Sequence, residues 1–268
     1  MDRGLRGGAA GRVRDRPPVD NCHDRLPRRR RQRPAGGRRV APDVRPPSPR
    51  PLLALRPGPP HAPGAEGWLR GSLEEFQSGL DVVTWTTLDG HDQAELAGSD
   101  LLFIGGGNTF DLLAHLRAHG ALGWVRTHLD GGGDLYGGSA GAVLAGASVD
   151  IAAWADENTT GLAAPDELAG LGLLPGGALL PHFTEDDVPR AREWSAQHGL
   201  EVLGVPEASG LVIDGDDVVV AGPEPVWRCT PQDAEALPAG TRFPVSPPAG
   251  GARAPGRPPA PGRAGPAW

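Results

Sequence analysis

The five residues Gly137-Gly138-Ser139-Ala140-Gly141 constrain this chain more than any other stretch. They follow the apolar pair Leu135-Tyr136 and precede Ala142-Val143-Leu144-Ala145, so the order is strand, sharp turn, helix. That is the G-x-S-x-G layout of a nucleophile elbow, in which a serine projects from a tight strand-to-helix turn. Strand and helix backbones pass close together in such a turn, and positions 137 and 141 leave no room for a Cβ. A serine there stands at a helix N-terminus, where unpaired N–H groups and the helix dipole favour a developing oxyanion. The same five residues also suit a plain flexible loop, so their surroundings must decide.

Those surroundings alternate. Leu73, Phe76 and Leu80 have helical spacing, and Val82-Val83-Thr84-Trp85-Thr86 reads as a strand. Leu101-Leu102-Phe103-Ile104 is a wholly apolar run of the kind found in buried parallel strands, and it ends in Gly105-Gly106-Gly107-Asn108. A helix is expected from Thr109, with Leu112, Leu113 and Leu116 on one face and Gly120 as its stop. A second is expected over 122–129. Beyond the elbow come an acidic loop from Trp154 to Thr160 and a strand, Ala178-Leu179-Leu180, leading into Pro181-His182-Phe183. A helix over 188–198 and a strand over Glu201–Val205 follow, the strand ending at Pro206-Glu207. A hairpin is expected around the Asp-Gly-Asp turn at 214–216, and Pro225–Arg228 reads as the last strand. Strands alternating with helices make the class α/β with a mainly parallel sheet.

Charge divides the chain into three. Residues 1–66 carry 16 Arg against 6 acidic residues, residues 67–247 carry 7 against 27, and residues 248–268 carry 3 Arg and no acid. Every basic residue is Arg. The first segment has no hydrophobic period, and its Arg28–Arg31 run and Pro-rich stretch cannot bury enough apolar surface to order themselves. It reads as a disordered tail, a basic arm for nucleic acid or an acidic partner, or the product of a shifted reading frame in GC-rich DNA. Residues 248–268 have the same low-complexity character. Cys22 and Cys229 are too few and too distant for a disulfide framework or a zinc site. With no apolar stretch of membrane-spanning length and no signal-peptide pattern, a soluble cytoplasmic protein without membrane partners is expected. The sequon at Asn158-Thr159-Thr160 is read as chance.

A serine hydroxyl needs a base to take its proton and a third group to orient that base. Of the histidines at 91, 115, 119, 128, 182 and 198, five fall on expected helices or polar loops and read as surface residues. His182 differs, because it follows an apolar strand directly. Carboxyl ends of strands are where sites form in open α/β sheets, and Glu207 stands at the same kind of place. Ser139, His182 and Glu207 therefore mark three strand ends, as a triad or as a structural His with a surface Glu. The Gly105–Asn108 turn reads as an oxyanion hole, a phosphate cradle or a tight turn.

Four blocks carry a resemblance: Phe103–Phe110, Gly138-Ser139-Ala140-Gly141-Ala142, Pro181-His182-Phe183-Thr184 and Pro206-Glu207. In order and spacing they resemble the serine peptidase family of α-aspartyl dipeptidase (dipeptidase E) and cyanophycinase, from about Gly71 to about Val245. The resemblance implies a flavodoxin-like, class I glutamine amidotransferase-related α/β fold with a nucleophile elbow, and a peptidase domain over 67–247. It implies Ser139 as nucleophile, His182 as general base and then acid, Glu207 as the orienting carboxylate, and the N–H groups of Gly107 and Ala140 as oxyanion hole. No metal and no organic cofactor are implied. Dipeptides with N-terminal aspartate are the implied substrates, with Arg190 or Arg192 on their carboxylate and Asn108 beside them. Asp156 lies where the family places site-proximal residues, as a substitute for Glu207 or a contact for a substrate amine. The expected state is a monomer or homodimer.

One departure accompanies the resemblance. The family opens with a strand, a helix and a second strand, and the Arg/Pro-rich residues 1–66 are expected to supply none of them. A missing central strand leaves backbone groups unpaired, so a catalytically silent or incompletely folded family member is the alternative reading. A nucleic-acid-binding protein using the basic arm is a third, in a different class, whose affinity falls steeply with salt.

Overall fold

The computed structural model describes residues 52–55, 67, 70–71 and 81–245. The first sheet contains β1 (Leu52–Leu55), β2 (Val82–Trp85), β3 (Leu101–Ile104) and β4 (Asp134–Gly137) in the order β2-β1-β3-β4, all parallel. Strand β1 corrects the expectation that residues 1–66 contribute nothing to the sheet. Its four apolar residues follow Pro51 and precede Arg56-Pro57, and a short apolar run between prolines suffices for a parallel strand whose segment-wide composition hides it. The remainder of the Arg/Pro-rich segment, the helix expected around Leu73, Phe76 and Leu80, and the tail from 248 lie outside the described residues.

Helices α1 (Gln93–Ala97), α2 (Thr109–Ala118) and α3 (Ala121–Asp130) make the crossovers between β2, β3 and β4. Helix α2 buries Phe110, Leu112, Leu113 and Leu116 on one face. Asn108 caps it, accepting from the N–H groups of Phe110 and Asp111. Gly120, at φ 65°, turns the chain between α2 and α3.

Helix α4 (Ala140–Ala145) follows β4 directly, and a long connection leads to β5 (Gly177–Pro181). Strand β5 pairs in parallel with β6 (Glu201–Val205), with α5 (Val188–His198) as the crossover. Beyond β6 the pattern turns antiparallel. The hairpin β7 (Gly210–Asp214) and β8 (Asp217–Ala221) forms with Gly215 at φ 65° in its turn. Strand β9 (Val226–Cys229) joins β6, and β10 (Ala234–Leu237) joins β9. Strand β11 (Arg242–Pro244) joins β8. The second sheet is thus β10-β9-β6-β5 and the third β11-β8-β7.

Three expectations are corrected here. Pro225–Arg228 is not the last strand, since β10 and β11 follow it. The pairing is mixed rather than mainly parallel: β6–β9, β9–β10, β7–β8 and β8–β11 are antiparallel, beside the parallel first sheet and the parallel β5–β6 pair. The three strand ends of interest also belong to two sheets, β4 to the first and β5 and β6 to the second. A large apolar core runs from Trp85 and Ile104 through Leu144 to Ala178 and Val202. A smaller one gathers Leu179, Leu203, Val218, Val226 and Phe243 under the antiparallel part.

Candidate active site

Ser139 follows Gly138 in the two-residue turn between β4 and α4, and its backbone lies at φ 50°, ψ −111°. Among the described residues only Ser139 and His182 (φ 59°) are non-glycine residues at positive φ. Each such placement costs on the order of 1–3 kcal/mol and persists only where the surroundings over-determine it. Around Ser139 they do. Gly138 N–H donates to Ile104 O at 2.9 Å, and Ala142 and Val143 N–H donate to Ser139 O. A Cβ on Gly141 would stand 2.3 Å from Ile104 O, and one on Gly137 2.4 Å from Gly141 O. The end of β3, the serine turn and the first turn of α4 are thereby locked together.

His182 follows β5 and is held by its neighbour. Phe183 is buried with its ring against Gly204 of β6, where a Cβ would meet ring carbon at 2.4 Å. Phe183 N–H donates to Val205 O at 3.2 Å. The bulk of Phe183 inside fixes the direction in which His182 points outside. Glu207 lies in a turn whose next two residues are fastened to Glu224: Ala208 N–H donates to its carboxylate at 3.2 Å, and Ser209 Oγ–H donates to its carbonyl at 2.6 Å.

The three side chains meet. Ser139 Oγ lies 3.0 Å from His182 Nε2, and His182 Nδ1 lies 2.5 Å from Glu207 Oε2. A carboxylate only accepts, so Nδ1 carries the proton toward Glu207, and Nε2 is left with the lone pair that accepts from the serine hydroxyl. The arrangement can move a proton from Oγ to Nε2 while the carboxylate holds the ring. The side chains of His182 and Glu207 are 58% and 77% exposed, so solvent screens their charges and orientation is what Glu207 chiefly contributes.

The turn after β3 borders the serine, since a Cβ on Gly106 would lie 3.1 Å from Ser139 Cβ and 3.5 Å from its Oγ. Gly107, at φ 140°, and Ala140, first residue of α4, flank that contact. No acceptor among the described residues takes the N–H of either.

The other expected site residues divide. Asn108 is occupied with α2, and its Nδ2–H donates to Glu157 O at 2.8 Å. Asp156 accepts from Thr109 N–H at 2.8 Å, at the N-terminus of α2, so it is not the partner of His182. Arg192 is turned away, donating to the carbonyls of Pro231 and Gln232 at 3.1 and 3.0 Å between β9 and β10. Arg190 is exposed, its guanidinium carbon 4.1 Å from the centre of the Trp154 ring. Spacing in the chain announced neither Trp154 nor the Glu224 clasp. His128 is the exception to the surface reading of the other histidines: it is buried against Gly133, and its Nε2–H donates to Asp134 O at 3.0 Å.

Residues 70–221 match the model of peptidase family S51. Peptidase E of Shewanella amazonensis is 32% identical over 164 residues, which are 56% of this chain and 67% of that protein. Peptidase E of Salmonella arizonae is 31% identical over 156 residues, 54% of this chain and 66% of that protein. The chain therefore spans about two thirds of the length of these relatives. A solved structure of a peptidase from an acI-B1 Actinobacterium superposes with a TM-score of 0.52 at 18% identity, covering 72% of this chain and 83% of that one.

Proposed function

The chain belongs to peptidase family S51 and is by that membership a serine-type peptidase; we propose that it hydrolyses small peptides with N-terminal aspartate through an acyl-enzyme on Ser139. The observation that carries this reading is the relay Ser139–His182–Glu207, with both of its first two members at positive φ.

In this reading the β4–α4 turn is a nucleophile elbow on a flavodoxin-like fold related to class I glutamine amidotransferases. His182 Nε2 takes the proton as Ser139 Oγ bonds to the peptide carbonyl carbon. The oxygen, now negative, is held by the N–H groups of Gly107 and Ala140, at the dipole end of α4. His182 then gives its proton to the leaving amine as the C–N bond breaks. A water then gives a proton to His182 Nε2 as it attacks the acyl carbon, and the imidazole returns that proton to Ser139 Oγ as the ester bond breaks. Glu207 keeps the imidazole in one tautomer and stabilises its positive charge throughout. Arg190, rather than the engaged Arg192, is the cation for a substrate carboxylate. The cytoplasm is the setting we propose, and the free Cys229 thiol accords with a reducing compartment.

The catalytically silent alternative rested on missing N-terminal strands, and β1, seated between β2 and β3, speaks against it by supplying a central strand from that segment. The test is turnover of dipeptides bearing Asp, Glu, Asn or Leu at the N-terminus by the full chain. Cleavage led by Asp and lost in Ser139→Ala supports the proposal. Turnover that survives in Ser139→Ala, or no preference for Asp, contradicts it.

A further inference from the structure

We propose that Trp154 is the positioning residue for substrate recognition: its indole holds the Arg190 guanidinium in place for the side-chain carboxylate of an N-terminal aspartate. The inference rests on the acidic-peptide reading above and adds the element that enforces it.

Trp154 is half-buried, packed against the main core, and ends a 3-10 turn spanning Asp150–Trp154. That turn is fastened along its length. Asp150 Oδ2 lies 2.8 Å from His198 Nε2. The His198 ring stacks on Trp194 at 4.0 Å, and its Nδ1 lies 2.8 Å from Trp194 O. Two residues beyond Trp154, Asp156 grips the N-terminus of α2, and Asn108 grips Glu157 O. Arg190 and His198 are two helical turns apart on α5, about 12 Å. The 3-10 turn rises about 8 Å over its length, so it runs antiparallel to α5 and is clasped at both ends. The strap thereby ties the Gly105–Asn108 turn that touches Ser139 to the helix that carries Arg190.

The chemistry of the stack matters. A carboxylate partner would occupy the N–H edges of the guanidinium. An aromatic face engages its plane and leaves those edges for a bidentate pair with an incoming carboxylate. Among the described residues no carboxylate forms an ion pair with Arg190. The cation is pre-oriented at low entropic cost and unneutralised, as a specificity group requires.

The experiment compares Asp-Leu, Asn-Leu and Asp-Leu-amide as substrates for the full chain and its Trp154→Ala, Trp154→Phe, Arg190→Ala and Arg190→Lys variants. Expected is a rise of about 3- to 30-fold in KM for Asp-Leu in Trp154→Ala, with kcat little changed and Asn-Leu unaffected. Trp154→Phe restores most of the loss, and Arg190→Lys, which keeps charge but loses the planar stack, behaves like Trp154→Ala. An unchanged Asp/Asn ratio in a cooperatively melting Trp154→Ala overturns the proposal. If that variant does not fold, an unchanged ratio in Arg190→Lys overturns it instead. A loss that tracks the free C-terminus, absent with Asp-Leu-amide, overturns the side-chain assignment. An unchanged ratio in Arg190→Ala overturns the proposal and leaves the acidic-peptide reading standing, whereas a full chain that does not distinguish Asp-Leu from Asn-Leu defeats that reading itself.

Discussion

Ser139 depends on its neighbours more than they depend on it. Removing the hydroxyl takes away the proposed nucleophile but none of the contacts that hold the turn. Ser139→Ala and His182→Ala are therefore each expected to lower kcat by roughly 10⁶-fold, and the double variant no further, because the groups act as a unit. Steady-state kinetics of the three proteins checks this. Gly204→Ala acts from behind: its methyl would occupy the Phe183 ring position, costing about 1–3 kcal/mol of stability. It should also depress activity by displacing His182, measurable as a lower melting temperature together with a lower kcat. Ser139, His182 and Glu207 were legible in the sequence because each directly follows a short apolar run, where strand ends place side chains on a rim. Arg190 on Trp154 was not, because a cation over a ring leaves no spacing signal between distant residues. Nor could spacing separate Arg190 from Arg192, whose fates depend on which way α5 faces.

At the scale of elements, α2 carries the turn beside Ser139 at its start and a titratable contact at its end. Asn108→Ala removes the cap and the tether to Glu157 O, with an expected loss of about 1 kcal/mol in denaturant unfolding. Toward the other end, His115 Nε2 accepts from Leu88 N–H at 3.1 Å, which only the neutral ring can do. Burial, then the neighbouring His119, holds His115 below its ordinary 6.5. His119 faces two acceptors, His115 O at 2.9 Å and Asp89 Oδ1 at 3.0 Å, and these raise it above 6.5. The signs oppose. A raised histidine stabilises fully below 6.5 and loses that contribution as pH climbs through its folded value. A lowered one stabilises above 6.5 and loses its contribution as pH falls. His119→Ala should therefore cost more stability at pH 5.5 than at pH 9, and imidazole NMR titration should find His115 below 6.5 and His119 above it. The reverse order contradicts this account of the α2 contact. Helices α2 and α5 and strand β6 were readable from periodicity and stop signals. Strand β10, Ala234-Glu235-Ala236-Leu237, was not, since its weak alternation only becomes a strand once β9 offers an edge.

For the whole molecule, the proposed relay spans two sheets, so its geometry depends on how they are joined rather than on either alone. The joint is α4 and the core beneath it, where Leu144, Ala178 and Val202 belong to one cluster. The antiparallel extension matters too, because Glu224 fastens the turn that bears Glu207. Glu224→Gln weakens the Ala208 contact and should lower kcat without unfolding the protein, checked by activity beside a thermal melt. Cys229 reports on the core: burial pushes its thiol up to about 11, so it should resist alkylation at pH 8 until the second sheet opens. The α/β alternation was legible from β2 to β6. The division into separate sheets was not, because it depends on which strands pair across the serine turn. The most direct measurement is the mass of a fluorophosphonate adduct, mapped by peptide sequencing in the full chain and in His182→Ala. The account predicts one adduct, on Ser139, that forms at least a hundredfold more slowly without the imidazole. Labelling elsewhere, or labelling of Ser139 at equal speed in both proteins, would contradict it.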